Sequence, residues 1–221
     1  MKLFLSGGGS QAFELDKIFI KELDKSKPLL YIPIAMDENK HPPSECLEWI
    51  KDYFSKFNFN KIVMKTNLNE VENLDRYSGV YIGGGNTPYL LKELKETGFF
   101  KKLQEAIKEG LPVAGGSAGA IIHAKTIIPA LSCDENKVGL KDFSALNNLN
   151  DFEMWCHYEE NMDKEINEYI KKYSFENVIA LPEDCGIYVN GDKMQILGNS
   201  SAWFFDREGN KREMKNEEFL V

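Results

Sequence analysis

The sequence predicts an α/β fold: a three-layer α/β/α sandwich with a mostly parallel central sheet and a small antiparallel extension near its C-terminus. Three observations carry that expectation. Short apolar runs of strand length alternate with amphipathic helical patterns from Lys2 past Pro112, as in a parallel sheet covered on both faces. Glycine clusters at 7–9, 83–85 and 115–116 directly follow three of those runs. The tail breaks into short runs punctuated by Asn190-Gly191-Asp192 and Gly198-Asn199, which is hairpin turn chemistry. With 221 residues and no Pro/Ser-rich spacer, low-complexity tract or repeat, residues 1–221 are expected to form a single domain.

Taken in order, Lys2 to Ser6 reads as a central strand ending in Gly7-Gly8-Gly9-Ser10, and Gln11 to Leu23 as a helix with Phe13, Ile18, Phe19 and Leu23 on its apolar side. That glycine loop lacks both the Gly-x-Gly-x-x-Gly spacing and a Gly-Lys-Ser/Thr, so nucleotide binding is rejected. Pro28 to Ala35 is a second buried strand, Ser44 to Lys56 a helix after Pro42-Pro43, and Lys61 to Met64 a third strand. Gly79 to Ile82 is a fourth strand. Leu90, Leu91 and Leu94 mark the next helix and Phe99 to Lys108 another, delivering the chain to a strand starting at Pro112. Beyond it, Ala130 to Lys137 reads as a loop or hairpin, Leu146 to His157 as a loop, Asp163 to Tyr173 as a charged helix and Val178 to Leu181 as a strand. Gly186 to Val189, Lys193 to Leu197 and Ala202 to Phe205 are the tail strands.

Composition excludes several functions. A net charge of −8 leaves no basic stripe to neutralise phosphates, so neither nucleic acid nor an anionic membrane is an expected partner. Met1 to Ser6 is too short an apolar run for a signal peptide and no later run reaches a membrane span, so a cytoplasmic protein is expected. Four scattered cysteines without a Cys-x-x-Cys pair argue against zinc and against a disulfide framework; no metal and no cofactor is expected.

The chemistry centres on Leu111 to Ile122. Gly115-x-Ser117-x-Gly119 between a strand and a helix has the form of a nucleophile elbow, which lifts Ser117 Oγ clear of the sheet and aims the Ala118 N–H toward a developing oxyanion. A serine hydroxyl needs a base within hydrogen-bond reach, and that base needs an orienting group. His41 falls in an exposed loop and His123 lies past the elbow, pointing away from its mouth. His157, in Trp155-Cys156-His157-Tyr158, is the best base. Asp134 and Glu183 both follow the elbow in loops beside strands, and spacing does not separate them. The loop Gly83-Gly84-Gly85-Asn86-Thr87 is the natural second source of oxyanion donors and of substrate contacts from Gly84, Asn86 and Thr87.

Together these anchors resemble peptidase family S51, which includes α-aspartyl dipeptidases and cyanophycinases. They are Gly7-Gly8-Gly9, Tyr31-Ile32-Pro33, Ile82 to Thr87, Gly116-Ser117-Ala118-Gly119-Ala120 and Leu181-Pro182-Glu183, and they span nearly the whole chain. The resemblance implies a fold similar to class I glutamine amidotransferases and a serine hydrolase acting on small peptides. It implies Ser117 as nucleophile, His157 as base, and the Gly85 and Ala118 amides as oxyanion donors, with Asp134 the first choice for the third triad member and Glu183 the runner-up. One departure bears on substrate. The aspartyl dipeptidases carry an arginine shortly after the histidine, whereas this chain has Tyr158 to Glu165, rich in acids, and no arginine between Arg76 and Arg207. Strict Asp-X cleavage is therefore expected to be weak or absent. A non-catalytic ligand-binding relative and an amidase on a non-peptide amide are the alternatives, and the expected assembly is a monomer or homodimer.

Overall fold

The computed structural model describes residues 1–9, 12–215 and 218–220. Alternation along the inner strands sets the architecture. Leu3, Leu5, Leu30, Ile32, Val80, Ile82 and Val113 enter one apolar cluster, while Phe4, Leu29, Tyr31, Tyr81 and Ala114 enter another on the opposite face. Strands buried on both faces read as continuous apolar runs and need cover on both sides. They are β1 (Lys2–Ser6), β2 (Leu29–Ile32), β3 (Ile62–Met64), β4 (Gly79–Ile82) and β5 (Val113–Gly116), parallel in the order β1-β5-β4-β2-β3.

The chain then leaves that sheet. β6 (Glu153–Cys156) and β7 (Asn177–Leu181) pair in parallel and begin a second, smaller sheet. β8 (Cys185–Asn190) and β9 (Lys193–Gly198) return as an antiparallel hairpin beside β1; the turn falls within Asn190-Gly191-Asp192, but its two residues are Gly191-Asp192, Asn190 ending β8 opposite Lys193 rather than opening the turn. β10 (Ala202–Asp206) joins the small sheet antiparallel to β7, β11 (Lys211–Met214) pairs antiparallel with β10 at its edge, and β12 (Glu218–Leu220) closes the edge of the large one against β9. The tail is thus split between two sheets rather than forming one extension. The small sheet is apolar on both faces: Met154, Cys156, Ile179, Leu181 and Ala202 join the cluster of the large sheet, while Trp155, Val178, Ala180 and Phe205 face outward.

Helices complete the layers. α1 (Phe13–Glu22) and α2 (Pro43–Ser55) cover one face of the large sheet. α3 (Thr87–Glu96), α4 (Phe99–Lys108) and the short α5 (Ala118–Ile121) cover the other together with the small sheet, and α6 (Asp163–Tyr173) caps that sheet from outside. The mixed α/β fold with a large, mostly parallel sheet is as expected. Two local readings differ. Residues 153–156 form a strand where a loop was expected, and Ile128–Ser132 form a 3-10 turn that overlaps the start of the Ala130 to Lys137 stretch read as loop or hairpin. Ser10 and Gln11, read as loop end and helix start, lie outside the described residues. Among the described residues no helix is long and apolar enough to cross a membrane.

Candidate active site

β5 ends at Gly116 and α5 begins at Ala118, so Ser117 alone makes the turn between them. Its backbone sits at φ 52° and ψ −118°, a region that costs a non-glycine residue about 1–3 kcal/mol. The surroundings hold it there: Ser117 N donates to Ser6 O at 3.1 Å, and Ser117 O accepts from Ala120 N and Ile121 N at 2.8 and 2.9 Å. The flanking glycines permit the packing. A Cβ on Gly115 would fall 2.2 Å from Gly119 O, and one on Gly119 2.1 Å from Ile82 O. α5 can fold back over β4 and β5 only with bare backbone at both places. Ala118 opens α5, where backbone N–H groups have no partner within the helix.

His157 directly follows β6, whose Cys156 pairs with Leu181 of β7, so His157 and the Pro182-Glu183 turn leave neighbouring strand ends side by side. His157 Nε2 lies 2.8 Å from Ser117 Oγ, and Nδ1 lies 2.9 Å from Glu183 Oε1. An ionised carboxylate can only accept, so this partner fixes the proton on Nδ1 and leaves Nε2 to accept from the serine hydroxyl. The first glycine cluster makes room for the arrangement. A Cβ on Gly7 would fall 2.3 Å from Pro182 O and one on Gly8 2.7 Å from Glu183 Cβ, while His157 N donates to Gly7 O at 3.1 Å. Gly7 and Gly8 are therefore spacers that let Glu183 come alongside β1. Their signal in the sequence was a glycine cluster that no phosphate motif explained.

Asp134, expected first for the third member, is elsewhere: its Oδ2 accepts from Thr87 N at 2.9 Å and from Thr87 Oγ1 at 2.6 Å, at the start of α3. The carboxylate on His157 belongs to Glu183, the runner-up. Asn86 and Thr87 likewise differ from the substrate-contact expectation. Asn86 accepts from Tyr89 N and donates to Glu135 O, both at 2.9 Å, and Thr87 is fully buried on Asp134. Both serve to join α3 to the 134–135 segment. Gly84, by contrast, lies against Ser117: a Cβ there would be 3.2 Å from Ser117 Cβ and 3.7 Å from Ser117 Oγ. Gly85 follows at φ 128° and lines the same cavity.

The other histidines fall where expected or deeper. His41 is exposed at the cavity rim. His123 is completely buried past the end of α5, its Nδ1 2.9 Å from Asn148 Nδ2 and its Nε2 without a partner, and burial pushes its pKa from 6.5 down to about 3.

Ser117 and His157 open into a cavity of about 650 Å³ walled by α2, the 129–134 segment and the strand ends. Among the described residues neither lysine nor arginine lines it; its carboxylates are Glu45 and Asp134. The acidic run after His157, expected to face the substrate, is not part of the lining. It turns outward into α6, where Asp163 accepts from Tyr158 Oη at 2.6 Å and Lys211 Nζ at 2.9 Å.

Comparison with known proteins bears on the family and the fold. The sequence model described as "Peptidase family S51" matches residues 3–197. A Drosophila melanogaster protein named "Probable alpha-aspartyl dipeptidase" is 27% identical over 207 residues, covering 88% of this chain and 84% of that one. Peptidase E of Shewanella amazonensis is 26% identical over 165 residues, covering 72% and 70%. The crystal structure of a peptidase from an acI-B1 Actinobacterium superposes with a TM-score of 0.72 at 17% identity, covering 100% of this chain and 96% of that one, which is a likeness of fold.

Proposed function

The chain belongs to peptidase family S51, and from that membership together with the Ser117–His157–Glu183 series we propose a serine-type peptidase that hydrolyses small peptides through an acyl-enzyme. The carrying observation is that one imidazole bridges a serine hydroxyl at 2.8 Å and a carboxylate at 2.9 Å. Ser117 Oγ attacks the scissile carbonyl while His157 Nε2 takes its proton and then passes it to the leaving amine. Glu183 holds the imidazole orientation and stabilises the imidazolium. The Ala118 and Gly85 amides donate to the oxyanion. Water, deprotonated by the same imidazole, then releases the acyl group.

The Drosophila relative is named for aspartyl dipeptides, but an acidic side chain calls for a charged, bidentate partner, and among the described residues the cavity lining supplies neither arginine nor lysine. The reading therefore includes a specificity other than strict Asp-X. Its test is a dipeptide panel run on the wild type and on Ser117→Ala. Hydrolysis that vanishes with the hydroxyl supports the reading. Undiminished turnover by a folded Ser117→Ala refutes the mechanism, and Asp-X as the best substrate by a wide margin refutes the specificity.

A further inference from the structure

The α2 end of the cavity holds three groups that hydrolysis does not use. Tyr31, from β2, lines it with a buried hydroxyl that has no hydrogen-bond partner; the neighbouring Cys46 thiol is turned to the His41 carbonyl at 3.5 Å. Glu45, in the first turn of α2, lines it without an ion-pair partner among the described residues. Trp49, one turn further along the same helix face, leaves 38% of its surface exposed and stacks on Tyr53 with centroids 5.7 Å apart and planes 1° from parallel. This end borders the reactive serine. A Cβ on Gly83 would lie 3.6 Å from Tyr31 Cε2, and Gly84, the next residue, lies against Ser117.

A free carboxylate, an indole face and a phenolic oxygen able to accept, in a cavity lined by no lysine or arginine among the described residues, together suit a cation that carries N–H donors. We propose that the Tyr31–Glu45–Trp49 end of the cavity is a subsite for a cationic side chain, lysine or arginine, flanking the scissile bond. An acidic side chain there would face Glu45 with no compensating charge. An apolar one would leave the buried Tyr31 hydroxyl unpaired and cover the Glu45 carboxylate without pairing it. The proposal rests on the peptidase reading, and it names that reading's substrate class.

The test compares kcat/KM for Lys-Ala, Arg-Ala, Ala-Lys, Ala-Arg, Leu-Ala, Ala-Leu and Asp-Ala in the wild type, Glu45→Gln and Tyr31→Phe. In the wild type the cationic peptides of one of the two series exceed their leucine counterpart about tenfold, the size expected of one partly exposed ion pair plus one cation–π contact. Glu45→Gln brings that ratio close to one, mainly through KM, and Tyr31→Phe reduces it. Calorimetric binding of the same peptides to Ser117→Ala reads the subsite without chemistry and should show the same order. A leucine peptide that equals or beats its cationic counterpart, or a ratio unmoved by Glu45→Gln, overturns the subsite. Fluorophosphonate labelling separates the two failures: labelling of Ser117 without cationic preference sinks the subsite alone, whereas cationic preference in binding without labelling sinks the peptidase reading alone.

Discussion

Two histidines that follow Ser117 in the chain sit in very different surroundings. His123, six residues beyond Ser117 in sequence, is sealed in the core, its hydrogen-bond partner among the described residues the Asn148 amide, and burial holds it neutral with a pKa of about 3. His157, forty residues beyond, has 42% of its side chain exposed, with a carboxylate on one nitrogen and the serine on the other. A ring with both nitrogens partnered and access to solvent can take and return a proton; a desolvated ring with an orphaned nitrogen cannot. Nearness in sequence to the nucleophile says nothing about which histidine serves it.

The sharpest way to break this contrast is to remove each ring. His157→Ala, like Ser117→Ala, should lower kcat by roughly 10⁴ to 10⁶ with thermal stability little changed, whereas His123→Gln should leave kcat within about threefold. Comparable losses at both positions, measured by steady-state kinetics on folded protein, would erase the distinction. The two carboxylates sharpen it next. Glu183→Gln disturbs the imidazole tautomer and should cost about 10² to 10⁴ in kcat. Asp134→Asn acts through α3 and should cost less than about tenfold.

Stability against pH separates buried groups with opposite signs. His123 in the folded chain refuses a proton that the unfolded chain accepts below pH 6.5, so its contribution is full above 6.5 and is lost as pH falls toward 3. Denaturant titrations of His123→Gln should show a shallower loss across that window. Asp16 is buried under Tyr53 Oη at 2.5 Å, and desolvation raises its pKa from 3.8 to about 7, the Tyr53 bond opposing. The folded chain then holds a proton that the unfolded chain releases, so stability falls as pH rises from about 4 to about 7, and Asp16→Asn should flatten that slope. The smallest effect is thermal: Asp134→Asn weakens the charge on the first turn of α3 and should lower stability by about 1 kcal/mol.

Much of this was legible in the residues themselves. The alternating apolar runs of β1, β2, β4 and β5 marked a two-sided sheet, and Gly115-x-Ser117-x-Gly119 marked the turn, because each is a local sequence pattern even though the contacts it serves are distant, β1 against β5 and Gly119 against Ile82. Which carboxylate meets His157 was not legible. Asp134 and Glu183 both sit in loops after the elbow, and only the pairing of β6 with β7 and the bare backbone of Gly7 and Gly8 decide which carboxylate reaches the imidazole. β6 was hidden for a similar reason. Its Glu153 is a buried carboxylate held by Thr126 N and Oγ1 at 3.1 and 2.9 Å, with burial raising its pKa to about 7, so a charged residue stood where a strand pattern wants an apolar one. Asn86 and Thr87 looked like ligand contacts because capping and substrate binding use the same side chains.

The central claim is that Ser117 is activated through His157 and Glu183. It is tested most directly by the second-order rate of fluorophosphonate addition, with the adduct located by peptide mass. The account predicts a single adduct on Ser117, formed orders of magnitude more slowly in His157→Ala, clearly slowed in Glu183→Gln and near the wild-type rate in Asp134→Asn. Wild-type rates in His157→Ala and Glu183→Gln, or an adduct on another residue, would contradict it.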